Sequence, residues 1–141
     1  MENSSRISKI DYALRLAETA ALRSEDPYRK VGAVALTKEW RVIATSYNGL
    51  PTGMEIPKKY WEDRNFRRDY MIHAEQNLAA LIKRGEAETV ATTTRPCPSC
   101  CILLLALGIK RVLYRTGYET DDLDKTLRIA KVYNLTMEQH V

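Results

Sequence analysis

Residues 89–115 read Thr89-Val90-Ala91-Thr92-Thr93-Thr94-Arg95-Pro96-Cys97-Pro98-Ser99-Cys100-Cys101-Ile102-Leu103-Leu104-Leu105-Ala106-Leu107-Gly108-Ile109-Lys110-Arg111-Val112-Leu113-Tyr114-Arg115. The β-branched run at 89–94 predicts a strand. Pro98 suits a first helical turn, where its missing N–H is not needed, so a helix is expected over 98–107. Gly108 stops that helix. Arg-Val-Leu-Tyr-Arg at 111–115 predicts a second strand. Two strands separated by one helix favour a parallel crossover.

Working outward, the same alternation recurs. A helix is expected over 7–22, where Ile7, Ile10, Leu14, Ala17 and Ala21 keep helical spacing and Ser4, Ser5 or Ser8 can cap it. Arg23-Ser24-Glu25-Asp26-Pro27 is a loop, because Pro27 cannot continue a helix. Strands over 31–36 and 41–47 make a hairpin about Lys38-Glu39. Residues 73–84 read as a helix with Leu78, Leu81 and Ile82 on its apolar side. A helix over 122–132 starts acidic, at Asp121, Asp122 and Asp124, and a short strand is placed at 135–138. The order α-β-β-α-β-α-β-α-β predicts the α/β class: a three-layer α/β/α sandwich with a five-stranded mixed sheet, in one domain over 1–141. Residues 54–71 have no period. They carry Lys58, Lys59, Arg64, Arg67 and Arg68 among Tyr60, Trp61, Phe66 and Tyr70, and are expected to be a functional loop.

Composition narrows the setting. With 22 basic and 18 acidic residues the net charge is +4, a mild bias that suits an anionic small molecule and dictates none. Three cysteines, all between 97 and 101, are not a disulfide framework and argue against secretion. Met1 to Ser8 lacks an apolar targeting core, and the apolar run at 100–108 is too short to span a bilayer. A reducing cytoplasm is the expected location, with no membrane partner.

Two short pieces carry chemistry: His73-Ala74-Glu75 and Pro96-Cys97-Pro98-Ser99-Cys100. They offer one imidazole, two thiols and one free carboxylate. A Cys-x-x-Cys alone fits a redox pair or half a structural zinc site. A structural site needs a fourth ligand, and neither Cys101, which would point away along its helix, nor the near-terminal His140 serves well. Three ligands, His73, Cys97 and Cys100, with an open position for water describe a catalytic Zn²⁺ site, one per chain. Glu75, at a helix start beside the metal, is the expected proton carrier. H-x-E…P-C-x-x-C is the pattern of zinc-dependent nucleobase deaminases. Both pieces lie at helix starts, which should lower the thiol pKa values and keep Glu75 ionised.

The chain also resembles a known family. Arg23-Ser24, Val31-Gly32-Ala33-Val34, Tyr47-Asn48-Gly49-Leu50-Pro51-Thr52-Gly53, His73-Ala74-Glu75-Gln76-Asn77, Pro96-Cys97-Pro98-Ser99-Cys100 and Gly108-Ile109-Lys110-Arg111-Val112 are similar in order and spacing to deoxycytidylate (dCMP) deaminases, over about residues 11–118. The resemblance implies a cytidine deaminase-like fold and hydrolysis of dCMP to dUMP and ammonia. It implies a homo-oligomer, often a hexamer, activated by dCTP with Mg²⁺ and inhibited by dTTP. By the same resemblance Asn48 and Ala74 bind substrate, and Asn48, Gly49, Leu50, Pro51, Thr52 and Gly53 form the regulatory nucleotide loop. Arg23 and Tyr118 are candidates for the substrate phosphate. The chain departs from the family in three places. Ser46 replaces a usual Gly and should touch only loop flexibility. Arg95 stands where relatives carry acidic or apolar residues, so its side chain is expected to be tolerated rather than used. Residues 52–72 contain no Cys or His for a second zinc. Rival readings are an RNA-acting (tRNA adenosine or cytidine) deaminase and a non-catalytic zinc module. Glu62, Asp63 and Asp69 break up the basic segment, so no nucleic acid is expected; Glu75 speaks against the zinc module.

Overall fold

A computed structural model describes residues 5–117 and 123–141. Its elements run α1 (Lys9–Ala21), β1 (Gly32–Leu36), β2 (Val42–Tyr47), α2 (Lys58–Trp61), α3 (Arg64–Tyr70), α4 (Ala74–Ala79), β3 (Thr89–Thr94), α5 (Pro98–Ala106), β4 (Arg111–Thr116), α6 (Leu123–Val132) and β5 (Thr136–Gln139). The five strands form one sheet in the order β2-β1-β3-β4-β5. β1 is antiparallel to both β2 and β3, while β3, β4 and β5 are parallel. The mixed sheet, the hairpin and the crossover through 98–107 are therefore as expected.

Alternate strand residues face opposite layers. Val34, Leu36, Ala91 and Leu113 pack with Ala13, Leu14 and Ala17 of α1. Ala33, Ala35, Val90 and Val112 pack with Ala74 and Leu78 of α4 and Leu104 of α5. This period-2 division of one sheet between two helical layers is the sandwich itself. Ser8, of the three candidate serines, caps α1: its Oγ accepts from the Asp11 N–H at 3.0 Å. At the far edge, Arg111 pairs with Glu138 and pins β5 to β4.

The α1 contact is unusually close. A Cβ on Gly32 would lie 1.9 Å from the Ala17 carbonyl oxygen and 2.7 Å from the Ala21 nitrogen. Both are backbone atoms, which cannot swing aside. Gly32→Ala is expected to cost about 3 kcal/mol and to lower the Tm by about 10 °C, read by calorimetry. An unchanged Tm would mean that α1 rides freely on β1.

Three local expectations need correction. Residues 54–71 are not a plain loop: they hold α2 and α3, in which no residue is buried. The helix expected over 73–84 ends at Ala79. Leu81, placed on its apolar side, is 59 % exposed, while Leu78 and Ile82 are buried. The helical period simply stops before Leu81. Asp121 and Asp122 lie outside the described residues. Among the described residues no helix is long and apolar enough to cross a membrane.

Candidate active site

His73 is the N-cap of α4, and Cys97 is the N-cap of α5, with Pro98 opening that helix. The Gln76 side-chain oxygen accepts from the His73 N–H at 2.7 Å, fixing the backbone that carries the imidazole. Two hydrogen bonds hold α4 against β2. Ser46 Oγ donates to the Ala74 carbonyl at 2.6 Å, and Asn77 Nδ2 donates to the Tyr47 carbonyl at 2.8 Å. Ser46 thus braces the first turn behind His73 and does more than soften a loop.

The three expected ligands meet. His73 Nδ1 lies 3.3 Å from Cys100 Sγ and 3.7 Å from Cys97 Sγ. All three donor atoms fall within 4.8 Å of one another. Tetrahedral zinc, with bonds of about 2.3 Å to sulfur and about 2.0 Å to nitrogen, needs S···N edges of about 3.6 Å. The donor set and its spacing fit zinc. Cys101 and His140 are not in the group. Cys101 Sγ instead points to the Pro96 carbonyl, 3.8 Å away.

Burial sets the protons of Glu75 and Cys101, and mutual hydrogen bonds set those of Cys97, Cys100 and His73. Burial pushes the Glu75 carboxyl, 4 % exposed, up to about 7. Cys97 is lowered to about 3, first by the Cys100 thiol beside it and also by His73 and Ser99. Cys100 is raised, because it donates that hydrogen bond and is desolvated. His73 is raised, chiefly by its contact with Cys97. Cys101 is pushed up to about 12 by burial and stays a thiol. In the metal-free chain Cys97 is thus lowered as expected, while Cys100 is raised and Glu75 stands above the ordinary carboxylate range. Without metal the donor set shares protons that zinc must displace.

Glu75, His73 and Cys97 open onto a cavity of about 490 Å³ that Asn48 and Ala74 also line. That volume is ordinary for a small-molecule site. Asn48 is held rigidly: its Oδ1 accepts from the Val31 N–H at 2.9 Å, and its Nδ2 donates to the Arg29 carbonyl at 2.9 Å. Ser24 Oγ donates to the Asn48 carbonyl at 2.9 Å. Gly49, Leu50, Pro51, Thr52 and Gly53 do not line the cavity. Gly49 pairs instead with Ile72, and Leu50 N–H donates to Glu25 Oε1 at 2.7 Å. Arg23 is exposed and away from the cavity, and Tyr118 lies outside the described residues.

Other cations stand in their place: Arg29, Arg64, Arg67, Arg68 and Arg95 line the cavity. Arg95 is 6 % exposed, and its main-chain N–H donates to the Thr116 carbonyl at 2.8 Å. Its side chain is thus enclosed at the cavity wall. The sequence does hold a signal for the others: Arg64, Arg67, Arg68 and Met71 are spaced i, i+3, i+4 and i+7.

Residues 7–116 match the family described as the cytidine and deoxycytidylate deaminase zinc-binding region. The chain is 32 % identical over 138 residues to a deoxycytidylate deaminase of Saccharomyces cerevisiae, covering 91 % of this chain and 43 % of that one. It is 33 % identical over 107 residues to a probable deoxycytidylate deaminase of Caenorhabditis elegans, covering 72 % and 54 %. The chain thus spans about half the length of these curated relatives. Among solved structures, the apo dCMP deaminase of cyanophage S-TIM5 superposes with a TM-score of 0.71 at 22 % identity, covering 99 % of this chain and 100 % of that one, a likeness of fold. With the family model matched over residues 7–116 and the His and two Cys donors converged, the chain belongs to the cytidine and deoxycytidylate deaminase family.

Proposed function

We propose that this chain deaminates dCMP hydrolytically, giving dUMP and ammonia. The observation that carries the reading is Glu75: a buried carboxyl that shares the cavity with His73 and Cys97 yet stands outside the donor group of His73, Cys97 and Cys100. A structural zinc site has no use for it. The S-TIM5 enzyme, whose fold this chain shares, has been solved with dCMP and dUMP.

His73, Cys97 and Cys100 would hold the zinc. When bound, zinc supplies the Lewis acidity that makes water a nucleophile near neutral pH. The chain's own work is proton transfer. A Glu75 carboxylate oxygen takes a proton from the attacking water and passes it to the ring nitrogen. It then carries the second water proton to the exocyclic amine. The new C–O bond becomes the carbonyl of uracil as the C–N bond breaks and ammonia leaves. Asn48 and the Ala74 main chain at the cavity wall are assigned to the substrate. Arg23, the expected phosphate ligand, does not line the cavity, and Tyr118 lies outside the described residues.

Regulation belongs to the same proposal. dCTP with Mg²⁺ activates, dTTP inhibits, and the loop from Asn48 to Gly53 receives them, in a cytoplasmic homo-oligomer that the family resemblance makes a hexamer. One experiment tests both parts: ammonia release from dCMP, dCTP, deoxycytidine and a tRNA, with and without dTTP and dCTP. Turnover of dCMP above the other three is expected, lowered by dTTP at subsaturating dCMP and restored by dCTP. Preference for the tRNA overturns the substrate. Flat kinetics with both effectors overturns the regulation alone.

A further inference from the structure

We propose that α3 is the anion clamp of this cavity, with Arg64 and Arg67 gripping a phosphate monoester carried by the base that is deaminated. The proposal rests on the deaminase reading above and assigns the charged end of its substrate to residues outside both zinc-binding stretches.

α3 is set up for this by its sequence. The Asp63 side chain caps it, accepting from the Phe66 N–H at 3.1 Å. Arg64, Arg67, Arg68 and Met71 all line the cavity, so one face of the helix is turned inward. On another face Phe66 stacks between Tyr60 and Tyr70, with ring centroids 4.8 and 5.0 Å away. No residue of α2 or α3 is buried, so apolar burial does not explain why this helix lies where it does.

What the inward face offers is positive charge in need of an anion. Asp26 and Glu75 are the carboxylates on the cavity wall. Asp26 Oδ1 is taken up by the main-chain N–H groups of Tyr28 and Arg29, at 2.8 and 3.1 Å. Glu75 faces the reacting end. Arg68 is answered by Asp69, 3.2 Å away. Arg64 makes no ion pair among the described residues. Arg67 lies with its guanidinium carbon 4.0 Å from the Tyr28 ring centroid and donates to the Trp61 carbonyl. That contact holds the guanidinium over the ring while leaving N–H groups for a ligand. Two like charges one helical turn apart repel each other, and a dianion between them reverses the sign of that term. A phosphate monoester at neutral pH is such a dianion, and the arginine fork matches its oxygens. A neutral nucleoside would leave both guanidinium groups unanswered.

The test uses the zinc-loaded chain and Arg64→Gln, Arg67→Gln, the double variant and Arg67→Lys. For dCMP, KM is expected to rise about 10- to 100-fold in the double variant, with kcat changed less than about threefold. Arg67→Lys keeps charge without the fork and recovers part of the loss. A KM within about twofold of wild type in the double variant overturns the clamp while leaving dCMP deamination standing. Titration calorimetry reads the same site without turnover. Wild type is expected to bind dUMP at least about tenfold tighter than deoxyuridine, and Arg64→Gln alone, at an exposed position, narrows that ratio. Equal ratios in wild type and variant also overturn it. If wild type turns over no dCMP, the deaminase reading falls, and calorimetry with inorganic phosphate still reads the clamp.

Discussion

Glu75→Gln keeps its zinc and loses about 10³-fold or more in kcat on dCMP. Glutamine has nearly the shape of glutamate, so the packing around a side chain only 4 % exposed survives. What it loses is the ability to accept a proton from water and deliver it twice. Because Glu75 lies outside the converged donor set, metal content should not move. KM should change little, since the carboxyl acts on atoms in motion rather than on binding. Metal analysis beside ammonia release checks both halves. Zinc lost together with activity would make Glu75 a ligand, and near-normal turnover would remove the mechanism.

The second large effect separates two adjacent cysteines. Cys100→Ala removes one of three donors and is expected to abolish zinc retention and turnover together. Cys101→Ala removes an equally buried thiol whose sulfur faces the Pro96 carbonyl, and should cost about 1 kcal/mol of packing with zinc intact. Thermal melts give a readout apart from activity. A chelator should lower the Tm of wild type and of Cys101→Ala, because zinc binds the folded chain and not the unfolded one. The same chelator should leave Cys100→Ala unmoved. If the two alanine variants behave alike, the assignment of ligands is wrong.

Much of this was readable from residue pattern, for a physical reason. Strands β1, β3 and β4 are buried against helical layers on both sides, so their apolar and small residues are continuous and conspicuous. The zinc ligands were readable because metal chemistry demands particular atoms at particular spacing. α3 was not readable in the same way. Its period is written in arginine, and a search for hydrophobic recurrence passes over a helix whose inward face is charged. Arg95 escaped because burial of a cation depends on a wall built from distant residues. The side chain reaches within 2.5 Å of where a Cβ on Gly117 would be, across from the end of β4. The pKa order of Cys97 and Cys100 escaped for a like reason. Helix-end reasoning treats each thiol alone, whereas the two share one hydrogen bond.

The strand order also sets a timetable for synthesis. β1 can close with β2 as soon as the hairpin is made, but its other edge belongs to β3. Ala33 pairs with Thr92, so roughly 60 residues, or about 3–12 s at ~5–20 residues per second, separate the two on the ribosome. Once β2 is complete, and until β3 follows, the nascent hairpin carries one unpaired inner edge, with Val34 and Leu36 turned toward α1 and no third strand beside them. The α1 helix, made first, is the available cover. Gly32 lets it sit directly on the strand. The close contact that fixes one layer of the finished sandwich thus also covers the apolar face of the half-made sheet while its inner edge waits for β3.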